Sequence, residues 1–300
     1  MSTRGDSYRG RFAPSPTGPL HFGSLYTAVA SFLQARASGG KWLVRIDDLD
    51  PFRCRPSYAT QILKTLEQYG LIWDESVLYQ STRQSAYKIA LDKLDRIQCL
   101  YPCSCSRKDL IERGVKHGIY DQYCLQHKPD IKQPHAIRIH VPIDTVNFSD
   151  TVQGHLQYSL KQDTGDFVIF RKDQVFAYHL AVVLDDNEQG ITHVLRGHDL
   201  IASTPQQLFL QQLLAIKPPI YAHIPVISDA RGVKLSKQTY AKDIALSPVR
   251  ETLISTLAHL NLKPPVELFS CHLSDILDWG IEHWSNDLIK RQDAIAMQAY

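Results

Sequence analysis

Arg11-Phe12-Ala13-Pro14-Ser15-Pro16-Thr17-Gly18-Pro19-Leu20-His21-Phe22-Gly23-Ser24 runs from an apolar, β-prone segment through a Pro/Gly loop to a helix start. Tyr8 to Phe12 reads as a short strand, and Leu25 to Ala37 has helical spacing ended by Ser38-Gly39-Gly40. Trp42 to Ile46 is a second β-prone run. Strand, helix and strand with short links predict a βαβ unit, hence a parallel sheet with a right-handed crossover. The loop exposes backbone N–H groups beside the positive end of a helix dipole, an arrangement that accepts phosphate oxygens. Gly18 and Gly23 let the backbone approach a nucleotide closely, and His21 can donate a hydrogen bond to a phosphate. By itself, His-x-Gly more often marks a helix cap and a surface histidine.

Working outward, Tyr58, Ile62, Leu66 and Tyr69 mark a helix ended by Gly70, and Tyr87, Leu91, Leu94 and Ile97 mark another. From Cys99 to about Asp163 prolines, histidines and alternating runs such as Ala136 to Val141 predict a small insertion, partly β. Regular α/β character returns at Asp166 to Phe170 and continues through Ala181 to Leu184, His193 to Arg196 and a helix over Pro205 to Ile216. The segment from Pro248 onward reads as helices with a Pro264-Pro265 break, Trp279 and Trp284 serving as core or docking residues. A second short segment, Lys234-Leu235-Ser236-Lys237, places two lysines three apart in a loop after Gly232. Such a pair can neutralise charge developing on a triphosphate, although a solvated basic turn is the commoner meaning of the string alone.

Composition sets the outer bounds. An apolar content of 44% over 300 residues supports a large core. No apolar run reaches the ~20 residues that span a bilayer, and Met1 to Gly10 lacks the apolar region of a signal peptide. A cytoplasmic protein with no membrane partner is therefore expected. A net charge of +2 permits a local basic face without requiring one. Of six cysteines, Cys99, Cys103, Cys105 and Cys124 fall within 26 positions, which in a reducing compartment favours a metal site over disulfides. Cys54, Cys99 and Cys271 read as free thiols. Cys103-x-Cys105 with Cys124 supplies three thiolates, one short of a closed tetrahedral zinc site. The neighbouring candidates for the fourth ligand are His117, Tyr120, Asp121 and His127, of which coordination chemistry alone chooses a histidine.

The two signatures in this order resemble the ATP-binding segments of class I aminoacyl-tRNA synthetases of the glutamyl type. The likeness extends through Val44-Arg45-Ile46-Asp47-Asp48-Leu49-Asp50, Trp73-Asp74-Glu75 and Gln80-Ser81-x-Arg83-x3-Tyr87. Further stretches are similar to the branch that attaches glutamate to the modified base queuosine. They are Tyr101 to Arg107, Asp166 to Arg171, Phe176 to Asp186, His193 to Leu200 and Ser203 to Gln206. The resemblance implies an α/β fold: a Rossmann-type class I synthetase catalytic core with a zinc-containing insertion and a helical C-terminal tail. Residues 1–98 and 164–246 would be the halves of the core, 99–163 the insertion and 247–300 the tail. Only 63 residues follow Lys237, too few for an anticodon-binding domain with its linker.

Roles follow from the same resemblance. Arg11, Ala13, Ser15, Asp47, Tyr178 and Arg196 would form the glutamate pocket, Asp47 facing the substrate ammonium. The chemistry suits the assignment, because Arg recognises carboxylates bidentately and a buried Arg left without its acid is costly. Pro14, Thr17, Gly18, His21, Gly23, Ser24 and Lys237 would bind ATP. His21 and Lys237, helped by Lys234 and Mg²⁺, would stabilise phosphate charge during catalysis. Cys103, Cys105 and Cys124 would hold a structural zinc, with Tyr120 the implied fourth ligand. Two positions depart from the pattern. Residue 47 is Asp where Glu is usual, so either a water bridges the gap or the direct contact weakens, and Ser24 stands where the general signature has His. The expected partners are L-glutamate and queuosine-bearing aspartate tRNA, met by a monomer. The competing readings are an ordinary glutamyl-tRNA synthetase charging glutamate tRNA and a catalytically silent RNA-binding paralogue.

Overall fold

The computed structural model describes residues 7–115, 119–142, 145–229 and 243–297. Lys234, Lys237 and His117 lie outside them. The opening βαβ unit is as the sequence predicts. Strand β1 (Arg9–Phe12) pairs in parallel with β2 (Lys41–Ile46), Arg11 opposite Leu43. Between them runs α1 (Phe22–Ala37), which starts ahead of Leu25 because His21 caps it. At its other end the Gly39 amide donates to the Arg36 carbonyl and the Gly40 amide to the Ala35 carbonyl, both at 2.9 Å. With Gly39 at φ 62° this is a Schellman turn, which satisfies carbonyls the helix leaves open. Helix α2 (Pro56–Gln68) then leads to β3 (Leu78–Tyr79), parallel to β2, and to α3 (Gln84–Arg96).

The middle of the chain changes style. Strand β4 (Leu100–Cys103), helices α4 (Arg107–Glu112) and α5 (Tyr123–Gln126), and β5 (Ala136–Ile139) follow in turn. A hairpin of β6 (Thr145–Asp150) and β7 (Gly154–Ser159) precedes β8 (Phe167–Phe170). Strands β4, β5 and β8 make an antiparallel sheet, so the segment that begins at Leu100 is closed by a strand at Phe167–Phe170. Helix α6 (Tyr178–Glu188) takes in the apolar run at Ala181 to Leu184 and returns the chain to the parallel layer. There β9 (His193–Gly197), α7 (Thr204–Leu214) and β10 (Ile220–Ile224) form a second βαβ unit, β9 and β10 parallel.

The two halves meet where β9 lies beside β1. The Thr192 amide donates to the Arg9 carbonyl at 3.0 Å, and Tyr8 stacks on His193 at 4.2 Å between ring centroids. The spatial order is then β3-β2-β1-β9-β10, and the chain reverses direction across the sheet between β1 and β9. Open α/β sheets bind ligands at such a switch point, beyond the carboxyl ends of the strands.

Helix α1 is apolar nearly all round because it is covered on two sides. Its inner face meets the sheet, where Trp42 is fully buried and donates its indole N–H to Ser31 Oγ at 2.9 Å. Its outer face takes α8 (Val249–His259) and α9 (Leu273–Glu282). Trp284 docks on it by donating to Gln34 Oε1 at 2.6 Å, and Trp279 packs on the same core. After β11 (Val226–Ser228), the last strand β12 (Ala294–Ala296) pairs with it in parallel. No helix among the described residues is long and apolar enough to cross a membrane.

The turn joining α1 to β2 allows a sharp test. A Cβ on Gly40 would lie 2.3 Å from the Tyr8 carbonyl oxygen, whereas one on Gly39 meets nothing within 4 Å. Gly39→Ala bears only left-handed strain, about 1 kcal/mol. Gly40→Ala must displace the start of β1 and costs on the order of 3 kcal/mol. Chemical denaturation should therefore rank Gly40→Ala as the less stable; equal midpoints would show that the β1–β2 junction can shift freely.

Candidate active site

The carboxyl ends of β1, β2 and β9 and the start of α6 open into a cavity of about 990 Å³. Its wall brings together Arg11, Ala13, Ser15, Asp47, Tyr178 and Arg196, the whole group expected to face one amino acid. Pro14, Thr17, His21, Gly23 and Ser24 line the same cavity beside the α1 N-terminus. Gly18 is buried in the loop and is not part of the wall.

Both meanings weighed for His21 meet in one residue. Its Nδ1 accepts the Ser24 amide at 3.3 Å, which makes it the cap of α1, and its ring also edges the cavity. Ser24 Oγ lies 3.1 Å from its Nε2. The 16-residue helix it caps points its positive end at the cavity, so the dipole and the first N–H groups favour an anion there.

Beneath the floor lies a network that sequence reasoning missed. Arg11 donates from Nε and Nη2 to the two carboxylate oxygens of Asp186, at 3.1 and 3.4 Å. Arg45, fully buried, donates from Nη1 to Asp186 at 2.5 Å and from Nε to Asp47 at 2.7 Å. Burial would raise the Asp186 carboxyl, but the two guanidiniums outweigh it and hold Asp186 below the ordinary carboxylate value. Next to it Asp185, also fully buried, accepts from Tyr87 at 2.6 Å, Gln80 at 3.0 Å and Arg83 at 3.3 Å. In the sequence Gln80, Arg83 and Tyr87 stand as motif matches in order, Tyr87 also as a helix position; the structure converges them on one carboxylate. Nothing in local periodicity marks a buried ion network, since its members lie up to 175 positions apart.

Arg196 presents a different case. It is 3% exposed, and its hydrogen-bond partners among the described residues are neutral: His223 Nε2 at 2.9 Å from Nε, and Thr204 Oγ1 at 2.9 Å and the Leu200 carbonyl at 3.4 Å from Nη2. The Tyr221 ring lies 5.3 Å from its guanidinium carbon. Its Nη1 is buried without a hydrogen-bond partner among the described residues. An unmatched buried guanidinium on a cavity wall is a receptor for a carboxylate.

Apart from the cavity, the sulfur atoms of Cys103, Cys105 and Cys124 all lie within 4.8 Å of one another. The Tyr120 hydroxyl is 3.4 Å from both Cys103 and Cys105 sulfurs and accepts the Cys124 amide at 2.8 Å. Arg138 and Arg113 donate to the Cys103 and Cys105 sulfurs at 3.2 and 3.3 Å; burial still outweighs the contacts at Cys105 and holds its thiol above the ordinary value. Burial works against ionisation of Cys124, but hydrogen bonding from Tyr120 prevails and lowers it to about 7. Three sulfurs and a phenol oxygen converge as a tetrahedral ion requires, with sulfurs ~3.8 Å apart around zinc. Coordination chemistry alone favoured a histidine as fourth ligand, yet His127 stacks on Tyr123 and turns its Nδ1 to the Tyr123 carbonyl. Asp121 is paired with Arg113, so of the candidates among the described residues Tyr120 is the one whose oxygen lies at the cluster.

Comparison with known proteins fits this geometry. The family model of class I tRNA synthetases (E and Q), catalytic domain, matches residues 7–262. A glutamyl-Q tRNA(Asp) synthetase of Methylococcus capsulatus is 48% identical over 278 residues, covering 92% of this chain and 91% of the relative. That of Thiobacillus denitrificans is 45% identical over 293 residues, covering 97% of each. Among solved structures, a glutamate tRNA ligase from Elizabethkingia meningosepticum, crystallised with its amino acid, has a TM-score of 0.79 at 24% identity. It matches 98% of this chain and 68% of its own, and at that identity the likeness speaks for the fold. A switch-point cavity with a helix-capping histidine, a family model spanning most of the chain and relatives near half identity agree: the chain belongs to the class I (E and Q) tRNA synthetases, in the branch of glutamyl-Q tRNA(Asp) synthetases.

Proposed function

We propose that this protein activates L-glutamate with ATP and transfers the glutamyl group to the queuosine base in the anticodon of aspartate tRNA. The observation that carries the glutamate assignment is Arg196, a buried guanidinium with an unsatisfied Nη1 in the cavity wall. The acceptor assignment rests on relatives named glutamyl-Q tRNA(Asp) synthetase at 45–48% identity. In the first step a glutamate α-carboxylate oxygen attacks the α-phosphorus of ATP, and the bond to the β-phosphate breaks to release pyrophosphate. The α1 N-terminus and His21 receive phosphate charge at the positive end of the helix. Lys234 and Lys237, outside the described residues, complete this role in the reading, with Mg²⁺ as the accompanying ion. In the second step a ring hydroxyl of queuosine attacks the acyl carbon, AMP leaves and the hydroxyl proton passes to water. A mixed anhydride is already activated, so no Ser/His/Asp nucleophile is demanded.

Arg196 and Tyr178 take the side-chain end of glutamate, Ala13 and Ser15 line its path, and Arg11 shapes the floor. Asp47 is engaged by Arg45; its carboxylate meets the ammonium through a water, the first of the two possibilities its short side chain left open. In this reading 1–98 and 164–246 are the two halves of the core, 99–163 is the insertion and 247–300 the tail. Cys103, Cys105, Cys124 and Tyr120 would hold a structural Zn²⁺, which would brace the insertion away from the reacting atoms.

Offered ATP and radiolabelled glutamate, the protein should label aspartate tRNA that carries queuosine and leave queuosine-free aspartate tRNA and glutamate tRNA unlabelled. Label on glutamate tRNA instead would make it an ordinary synthetase. Arg196→Ala should lower glutamate activation by at least about 100-fold, a loss of ~3 kcal/mol or more; near-normal turnover would remove Arg196 from the pocket. Elemental analysis should find one zinc per chain in the purified protein and none in Cys124→Ser, whose melting temperature should fall to that of the chelated wild type. Zinc-free, fully stable wild-type protein would refute the metal assignment.

A further inference from the structure

Arg196 is held from behind by two residues to which neither the sequence nor the likeness to known proteins gave a role. His223 lies on β10 and Asp150 at the end of β6, and both are buried to within a few per cent. Asp150 is pinned by its backbone surroundings. Its Oδ1 accepts the amides of Val152, Gln153 and His223 at 2.9, 2.8 and 3.1 Å, and its Oδ2 lies 2.6 Å from His223 Nδ1. The other ring nitrogen, Nε2, receives Arg196 Nε at 2.9 Å. A guanidinium N–H can only donate, so Nε2 must offer its lone pair and the imidazole proton must sit on Nδ1, facing Asp150. The ring is therefore neutral and in one tautomer. With Nε bound by His223 and Nη2 by Thr204, the planar guanidinium is fixed in one orientation, and its Nη1 is left buried without a hydrogen-bond partner in a residue that lines the cavity.

We propose that Asp150 and His223 are positioning residues for glutamate recognition: the carboxylate selects the Nδ1–H tautomer of His223, and that tautomer aims Arg196 at the substrate's side-chain carboxylate. The inference rests on the reading that Arg196 binds glutamate. It has a distinctive consequence. In Asp150→Asn the three amide donors keep the amide oxygen at the Oδ1 place, so the NH₂ faces His223 Nδ1. A donor there forces the imidazole proton to Nε2, where it confronts Arg196 Nε–H. The shape of the site is preserved and only the hydrogen-bond polarity is reversed.

The test is steady-state pyrophosphate exchange on the full-length protein, varying glutamate and ATP separately, for wild type, Asp150→Asn, His223→Gln, His223→Leu and Arg196→Ala. Nitrogen NMR of the histidine rings accompanies it. Asp150→Asn should raise KM for glutamate about tenfold, the effect of one charged hydrogen bond, leave KM for ATP within twofold, and move the His223 proton from Nδ1 to Nε2. His223→Gln, whose amide oxygen can still accept from Arg196, should retain more glutamate affinity than His223→Leu. If glutamate and ATP constants change together, or if Gln and Leu at position 223 behave alike, the pair is scaffolding only and the proposal fails while the Arg196 reading stands. If Arg196→Ala keeps normal glutamate activation, both fail.

Discussion

Arg11, Asp186, Arg45 and Asp47 form a buried alternation of two guanidiniums and two carboxylates, and the architecture of the site hangs on it. Its members come from β1, the end of β2 and α6, elements from both halves of the parallel sheet. Burying four charges is expensive unless each is matched, and removing one partner of such a set costs about 3–5 kcal/mol because the survivor stays desolvated. The network therefore works as a condition on folding: the two halves can close only with β1, β2 and α6 in register. That register places the carboxyl ends of the strands around a single cavity.

The same network accounts for the short acid at position 47. Residues 45 and 47 are two apart at the end of a strand and so point to one face. An aspartate there folds back onto Arg45 at 2.7 Å and is held, leaving room above it. Arg11 is likewise committed, to Asp186. Of the arginines in the cavity wall expected to meet substrate, Arg196 is the one whose hydrogen-bond partners among the described residues are all neutral. The fold thus separates two settings for arginine: Arg11 and Arg45 are neutralised inside the protein, whereas the hydrogen-bond partners of Arg196 are neutral and its Nη1 has none among the described residues. At the cysteine cluster Arg113 and Arg138 are likewise turned toward sulfur, each donating to one cysteine.

Much of this was legible in the chain. The opening βαβ unit, its loop, the switch to irregular structure after Cys99 and the helices near the C-terminus all follow from local rules of spacing, capping and punctuation, which act over a few residues. The cavity-lining residues were legible for another reason: they sit within short ordered motifs that resemble a known family. The fourth donor at the cysteine cluster was less so, because counting histidines near thiols ignores where their rings can turn. In the structure the bridge to Gly165 and the buried ring of Tyr120 hold its hydroxyl over the sulfurs.

Asp185, Asp186, Asp150 and His223 were not legible as functional groups. In sequence Asp185 and Asp186 merely close the matching stretch Phe176 to Asp186, and Asp150 and His223 are ordinary polar letters with no period or spacing to mark them. Their roles arise from pairings across 27 to 175 positions, and a low-dielectric interior is what makes those pairings decisive. The sequence alone determined the local elements, the phosphate-accepting loop and the family, because each depends on neighbours along the chain. Only the tertiary structure decided which charges cancel and which one stays without a charged partner, because that balance is struck between residues brought together by folding.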